Sequence, residues 1–148
     1  MTALTPNFTL EEFTDSQTAA RKGIHNVPVA QSQERKNLQR TAETMEKVRA
    51  ILGDKPILIS SGYRSPPVNA AVGGSKNSAH MSGLAVDFSC PGFGTPRAIC
   101  KKLQPHMKEL GVDQLIYEYD TWVHLGLGDA PRHMALTIDA KGTRAGFG

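Results

Sequence analysis

Cysteine is scarce in this chain: Cys90 and Cys100 are the only two in 148 residues. They do not form a close-spaced pair, which makes them poor zinc ligands. Without a secretion signal they are expected to be free thiols rather than a disulfide. No apolar run approaches the roughly 20 residues that a membrane-crossing helix needs. The first ten residues also lack the charged-then-apolar layout of a signal peptide. There is no block of like charge and no low-complexity tract, and a net charge of +3 is too small to point to nucleic acid. A Gly-x-Ser-x-Gly nucleophile elbow is missing too, which argues against serine nucleophile chemistry. What remains is an ordinary globular composition, long enough to bury a core. The expectation is a single domain over residues 1–148, with its central part at about 32–127 and a mobile tail at about 141–148.

Local patterns place the elements. Thr9 can cap a short helical turn that carries Glu11 and Glu12 near its positive end. Leu38, Met45, Val48 and Leu52 recur on one face and predict a helix over 32–52, stopped by Gly53. Pro56 opens a strand over 57–60. Residues 62–77 contain Pro66, Pro67, Gly73 and Gly74 and read mainly as loop. A strand over 84–88 turns Leu84, Val86 and Phe88 to the core and leaves Asp87 on the opposite, accessible face. A helix over 95–110 should be bent or interrupted by Pro105. Strands over 114–119 and 121–127 imply a tight reversal around Asp120, with Trp122, His124 and Gly126 facing outward. Residues 133–139 add an edge strand.

One constellation carries chemistry. His80 and Asp87 lie in Ser78-Ala79-His80-Met81-Ser82-Gly83-Leu84-Ala85-Val86-Asp87, and a second histidine lies in Trp122-Val123-His124. Two imidazoles and one carboxylate can hold a zinc ion with its fourth position open, which separates a catalytic zinc site from a closed structural one. A hydrolase built on this site needs a base to take a proton from water. Glu118 is the first candidate, because a reversal between Tyr119 and Val123 brings it opposite His124. Asp120 is the alternative, although a residue at a turn tip is more often a solvated turn former. Arg64, just after a buried strand, can clamp a carboxylate or an oxyanion, or form a surface salt bridge. Ser78 can hydrogen-bond a substrate carboxylate or only cap its local turn. Trp122 can wall the cleft or simply pack. His25, His106 and His133 have no partner pattern and read as structural or exposed.

Ser61-Gly62-Tyr63-Arg64-Ser65-Pro66, Asn69-Ala70-Ala71-Val72-Gly73-Gly74, Ser78-Ala79-His80 through Asp87, and Trp122-Val123-His124 follow one another in this order. Together they resemble the zinc D-Ala-D-Ala carboxypeptidase family, most closely its short single-domain branch in bacteria and bacteriophages. The likeness runs from about Phe8 to Leu127. It implies an α+β, hedgehog/D,D-peptidase-like fold: an antiparallel sheet with helices packed on one side. It implies Zn2+ held by His80, Asp87 and His124, and gives Arg64 and Ser78 substrate-binding or intermediate-stabilising roles. Many relatives place the acidic base three residues before the last histidine, where this chain has Thr121; others in the wider fold carry a glutamate six residues before it, as Glu118 is here.

The function implied is a zinc metallopeptidase that hydrolyses peptidoglycan stem peptides, as a carboxypeptidase or an endopeptidase. A stretch from Leu136 to Gly146 also resembles phage relatives, which points to an endolysin-type enzyme. Such a protein is made in the host cytoplasm and acts on the bacterial cell wall after release. The expected partner is the stem peptide, with no nucleic acid, no membrane and a monomeric state. The competing reading is a non-catalytic module that binds wall peptide or protein on the same zinc fold. A third is a structural component of a phage particle.

Overall fold

The computed structural model describes residues 2–148. A small ribbon of β1 (Ala3–Thr5) and β2 (Phe8–Thr9) leads into α1 (Leu10–Thr14). Thr9 caps α1 as its sequence suggests. The Glu12 N–H donates to the Thr9 hydroxyl while the Thr9 N–H donates to the Glu12 carboxylate, a reciprocal capping box. A second short helix, α2 (Gln17–Lys22), follows at once; it is capped by Ser16 and ended by Gly23 at φ 63°. Neither the ribbon nor α2 has a periodic pattern long enough to read from sequence.

Helix α3 (Gln33–Ile51) matches the predicted span, and Leu38, Met45, Val48 and Leu52 are fully buried. After it come β3 (Leu58–Ser61) and α4 (Pro66–Ala71). Residues 62–77 are mainly loop, as expected, and this six-residue helix is the regular element within them. Pro66 and Pro67 are helix starters here, since the first-turn N–H groups they lack have no intrahelical partner anyway. A 3₁₀ turn at Ala79–Ser82 precedes β4 (Ala85–Ser89). Pro105 divides the predicted 95–110 helix into α5 (Pro96–Leu103), a 3₁₀ turn at Gln104–His106, and α6 (Met107–Leu110). Strands β5 (Val112–Glu118), β6 (Trp122–Leu127), β7 (Met134–Asp139) and β8 (Gly142–Ala145) complete the chain.

Six strands form one sheet in the order β3-β4-β6-β5-β7-β8. Every neighbouring pair is antiparallel except β5 and β7, which run parallel. One face carries Val86, Phe88, Leu115, Val123 and Leu125, all buried in a common core with the apolar stripes of α3 and α5. Cys90 and Cys100 are free thiols inside this core, and burial pushes the Cys100 thiol up to about 12. The architecture is thus α+β, with α3 and α5 packed on one face of a predominantly antiparallel sheet.

Two expectations about the last strands need correcting. Residues 134–139 are not an edge strand, because β8 pairs with β7 on its outer side. The tail after Lys141 is therefore tied down. Phe147 is buried, its carbonyl accepts the Arg97 Nε–H at 2.8 Å, and the Thr137 hydroxyl donates to the Gly146 carbonyl at 2.6 Å. Gly and Arg in this segment suggest mobility by composition, but Gly142 at φ 113° serves the turn that lets β8 fold back.

Candidate metal centre

The second face of the sheet carries the polar residues. Asp87 on β4 is the register partner of His124 on β6. Directly paired residues point to the same side, so the two functional groups meet: His124 Nδ1 lies 2.8 Å from Asp87 Oδ1. His80 arrives from the 3₁₀ turn, and its Nε2 lies 3.4 Å from Asp87 Oδ2. The two imidazole rings meet edge to face with centroids 5.2 Å apart. One donor atom from each of His80, Asp87 and His124 lies within 4.8 Å of the others, a set able to share one metal ion.

The turn bearing His80 is held from several directions. Its Nδ1 lies 2.7 Å from the Gly62 carbonyl, which can only accept, so Nδ1 donates there and Nε2 is the atom turned toward Asp87. The Asn37 side chain donates to the Ser82 carbonyl at 2.9 Å, and the Thr41 hydroxyl to the Gly83 carbonyl at 2.7 Å. Gly83, at φ 78°, closes the turn; a Cβ there would come 2.5 Å from the Glu34 carbonyl oxygen of α3. Only glycine permits both the backbone angle and this approach.

Asp87 is 6% exposed, which corrects its placement on an accessible face. The segment from Gly62 to Gly83 folds over that side of β4 and brings His80 with it. Burial opposes ionisation of Asp87, but the His124 and His80 hydrogen bonds and charges outweigh it and hold the carboxyl well below the usual carboxylate range.

Glu118 pairs with Trp122 in register, and Ile116 is the residue opposite His124. The expected Glu118–His124 pair is therefore offset by two residues, and the carboxylate stands diagonal to His124 on the same face. Burial raises the Glu118 carboxyl above its ordinary value. His124 pulls against that shift, Asp87 adds to it, and His80 and Trp122 pull against it. The Trp122 indole N–H is buried without a partner in hydrogen-bond geometry, yet near enough to Glu118 to favour its anion. Asp120 points elsewhere. Its carboxylate accepts the Tyr117 hydroxyl proton, and Tyr117 is the register partner of core-facing Val123.

Arg64 reaches the site with Nη2 3.6 Å from Asp87 Oδ2, and its other nitrogens lie 3.3 Å from Ser61 Oγ and 3.4 Å from Asn69 Oδ1. The Ser78 hydroxyl accepts the His80 N–H at 3.2 Å, so the capping role is realised and its proton is still free to donate. His25 and His133 are exposed and His106 bonds Glu109, so none of the three joins the cluster.

Two further residues position the site, and sequence reading gave neither a role. Asn26 is buried; its amide donates to the Thr14 and Tyr63 carbonyls, and its oxygen accepts the Ser65 N–H at 2.8 Å. It thereby pins the backbone on both sides of Arg64. Asn69 donates to the Ser75 carbonyl while facing Arg64. A lone asparagine in a Pro-containing loop gives little signal that it is buried.

Comparison with known proteins agrees with this geometry. The stretch 40% identical to the zinc D-Ala-D-Ala carboxypeptidase of Streptomyces albus G runs over 60 residues, 40% of this chain and 24% of that protein. The chain therefore matches only about a quarter of that relative's length. The family model described as Peptidase M15 matches residues 6–126, a span that holds all three candidate ligands, Arg64 and Glu118. On that match, the chain belongs to the Peptidase M15 family.

Proposed function

We propose that this protein is a zinc-dependent peptidase acting on peptidoglycan stem peptides. The observation that carries the reading is the meeting of His80, Asp87 and His124 on the sheet face that also bears Glu118, with the Arg64 guanidinium alongside. The donor set suits zinc: two imidazoles and one carboxylate, with room in a tetrahedral shell for one more ligand. Zinc held by these three side chains supplies a Lewis acid that polarises a peptide carbonyl and makes water more acidic.

The chain's own groups do the rest. Glu118 takes a proton from the attacking water and passes it to the leaving amine, and its burial favours the protonated form it must visit between those steps. Arg64 faces the negative charge that grows on the carbonyl oxygen. The committed Nδ1–H of His80 keeps the ring oriented. Ser78 donates its hydroxyl proton to a substrate carboxylate, and Trp122 walls the cleft beside Glu118. In this reading the enzyme serves phage lysis: made in the host cytoplasm, it meets the wall after release.

The test is incubation of the zinc-loaded protein with muropeptides, with products followed by mass spectrometry. Loss of one terminal alanine defines a carboxypeptidase, and cleavage within the stem or bridge an endopeptidase. No product from any muropeptide, with zinc demonstrably bound, replaces the enzyme with a wall-binding module.

A further inference from the structure

Arg64 faces two ways. One side meets Asp87; the other lines a cavity of about 460 Å³ on the flank of the metal centre. The cavity lies between the outer edge of the sheet and the start of α2. Ile59 and Ser61 of β3, Asp15 just before α2, Arg21 within it, and Val72 after α4 line it. β3 ends the sheet, so no further strand covers this side. The volume is in the range of sites that enclose a small ligand group.

The charges in the cavity have a pattern. Arg64 is drawn toward the buried Asp87 carboxylate. That leaves Asp15 and Arg21, one of each sign, and among the described residues neither is in an ion pair. Arg21 only touches the Gln17 carbonyl, at 3.5 Å. The lining also has aliphatic surface at Ile59 and at Val72, which is 45% exposed. A wall with one free cation, one free anion and an apolar strip suits a ligand with the same three features.

We infer that this cavity is a substrate subsite for an α-amino-acid head, an ammonium and a carboxylate on one carbon, borne on an aliphatic side chain of the peptide. Arg21 takes the carboxylate, Asp15 takes the ammonium, and Ile59 and Val72 cover the methylenes. The assignment rests on the proposed peptidase reading and adds a specificity to it: peptides whose side chain ends in a zwitterion are preferred over those ending in a bare amine.

Two stem-type peptides that differ only at one residue test this, one with diaminopimelate and one with lysine. Lysine keeps the ammonium and lacks the carboxylate. The wild-type ratio of kcat/KM should favour diaminopimelate by on the order of tenfold, the worth of one charge-assisted hydrogen bond. Arg21→Met should bring that ratio close to one, while Asp15→Asn should raise KM for both peptides. Both side chains are exposed, so folding is checked simply by circular dichroism. A ratio unchanged by Arg21→Met overturns the subsite. If the wild type cleaves neither peptide, the peptidase reading fails separately. The subsite is then read by calorimetry: a diaminopimelate preference lost in Arg21→Met upholds it, and equal binding of the two peptides overturns it.

Discussion

At position 80 the Nδ1 proton is committed to the Gly62 carbonyl, and at position 118 burial holds the carboxyl above its ordinary value. In the proposed mechanism these two side chains separate holding a metal from moving a proton, and substitutions should separate them too. Glu118→Gln is expected to keep zinc, measured by elemental analysis, and to lose about 10²–10⁴ in kcat, the usual worth of a positioned acid–base group. Asp120→Asn should leave kcat within a few-fold, because the Asp120 carboxylate is engaged by Tyr117 on the other side of the sheet. His124→Ala should lose both metal and activity. Strand alternation turned Asp87 and His124 to the polar face, and the family resemblance was needed to name His80, which lies in a turn, as the third candidate ligand. The base was harder: Glu118 and Asp120 differ by two positions, and only the register and the Tyr117 hydroxyl tell them apart. Asn26 stayed hidden because burial of a polar loop residue depends on what folds over it.

Elements with strong internal patterns were legible, and those defined by their neighbours were not. Helix α3 announces itself through a four-residue apolar stripe; α4, with two prolines at its start, reads as loop until the chain around it is seen. The turn between the 3₁₀ segment and β4 depends on Gly83. Gly83→Ala should cost about 1–3 kcal/mol through its left-handed angle alone, with the approach to α3 adding to it. A fall in Tm of about 3–10 °C, together with weaker metal retention, is the expected readout. The C-terminal hairpin carries its own titration. Arg144 hydrogen-bonds the Asp139 carboxylate and, with the Lys141 N–H, holds it down at about 2 from an ordinary 3.8. Folded-state depression means the contribution is complete above about 3.8 and is lost as pH falls toward about 2. Protection of the β8 amides, measured against the intrinsic exchange rate at each pH, should therefore fall over that window, and Arg144→Met should remove the dependence.

For the molecule as a whole, the metal centre joins parts of the chain that lie far apart. Gly62 and His80 are 18 residues apart, and Asp87 and His124 are 37 apart. An ion bound at a hundred times its Kd adds about 2.7 kcal/mol to folding. Chelation should lower Tm accordingly, with recovery on returning zinc. The pairing of β4 with β6 has a kinetic consequence. Three complete donors exist only after those strands have zipped and the Gly62–Gly83 segment has closed on them, which happens after the rate-limiting step if the core forms first. An ion that meets a finished cage cannot hasten its assembly and can only delay its opening. Removing the metal should shorten the lifetime of the native state and leave the refolding rate where it was.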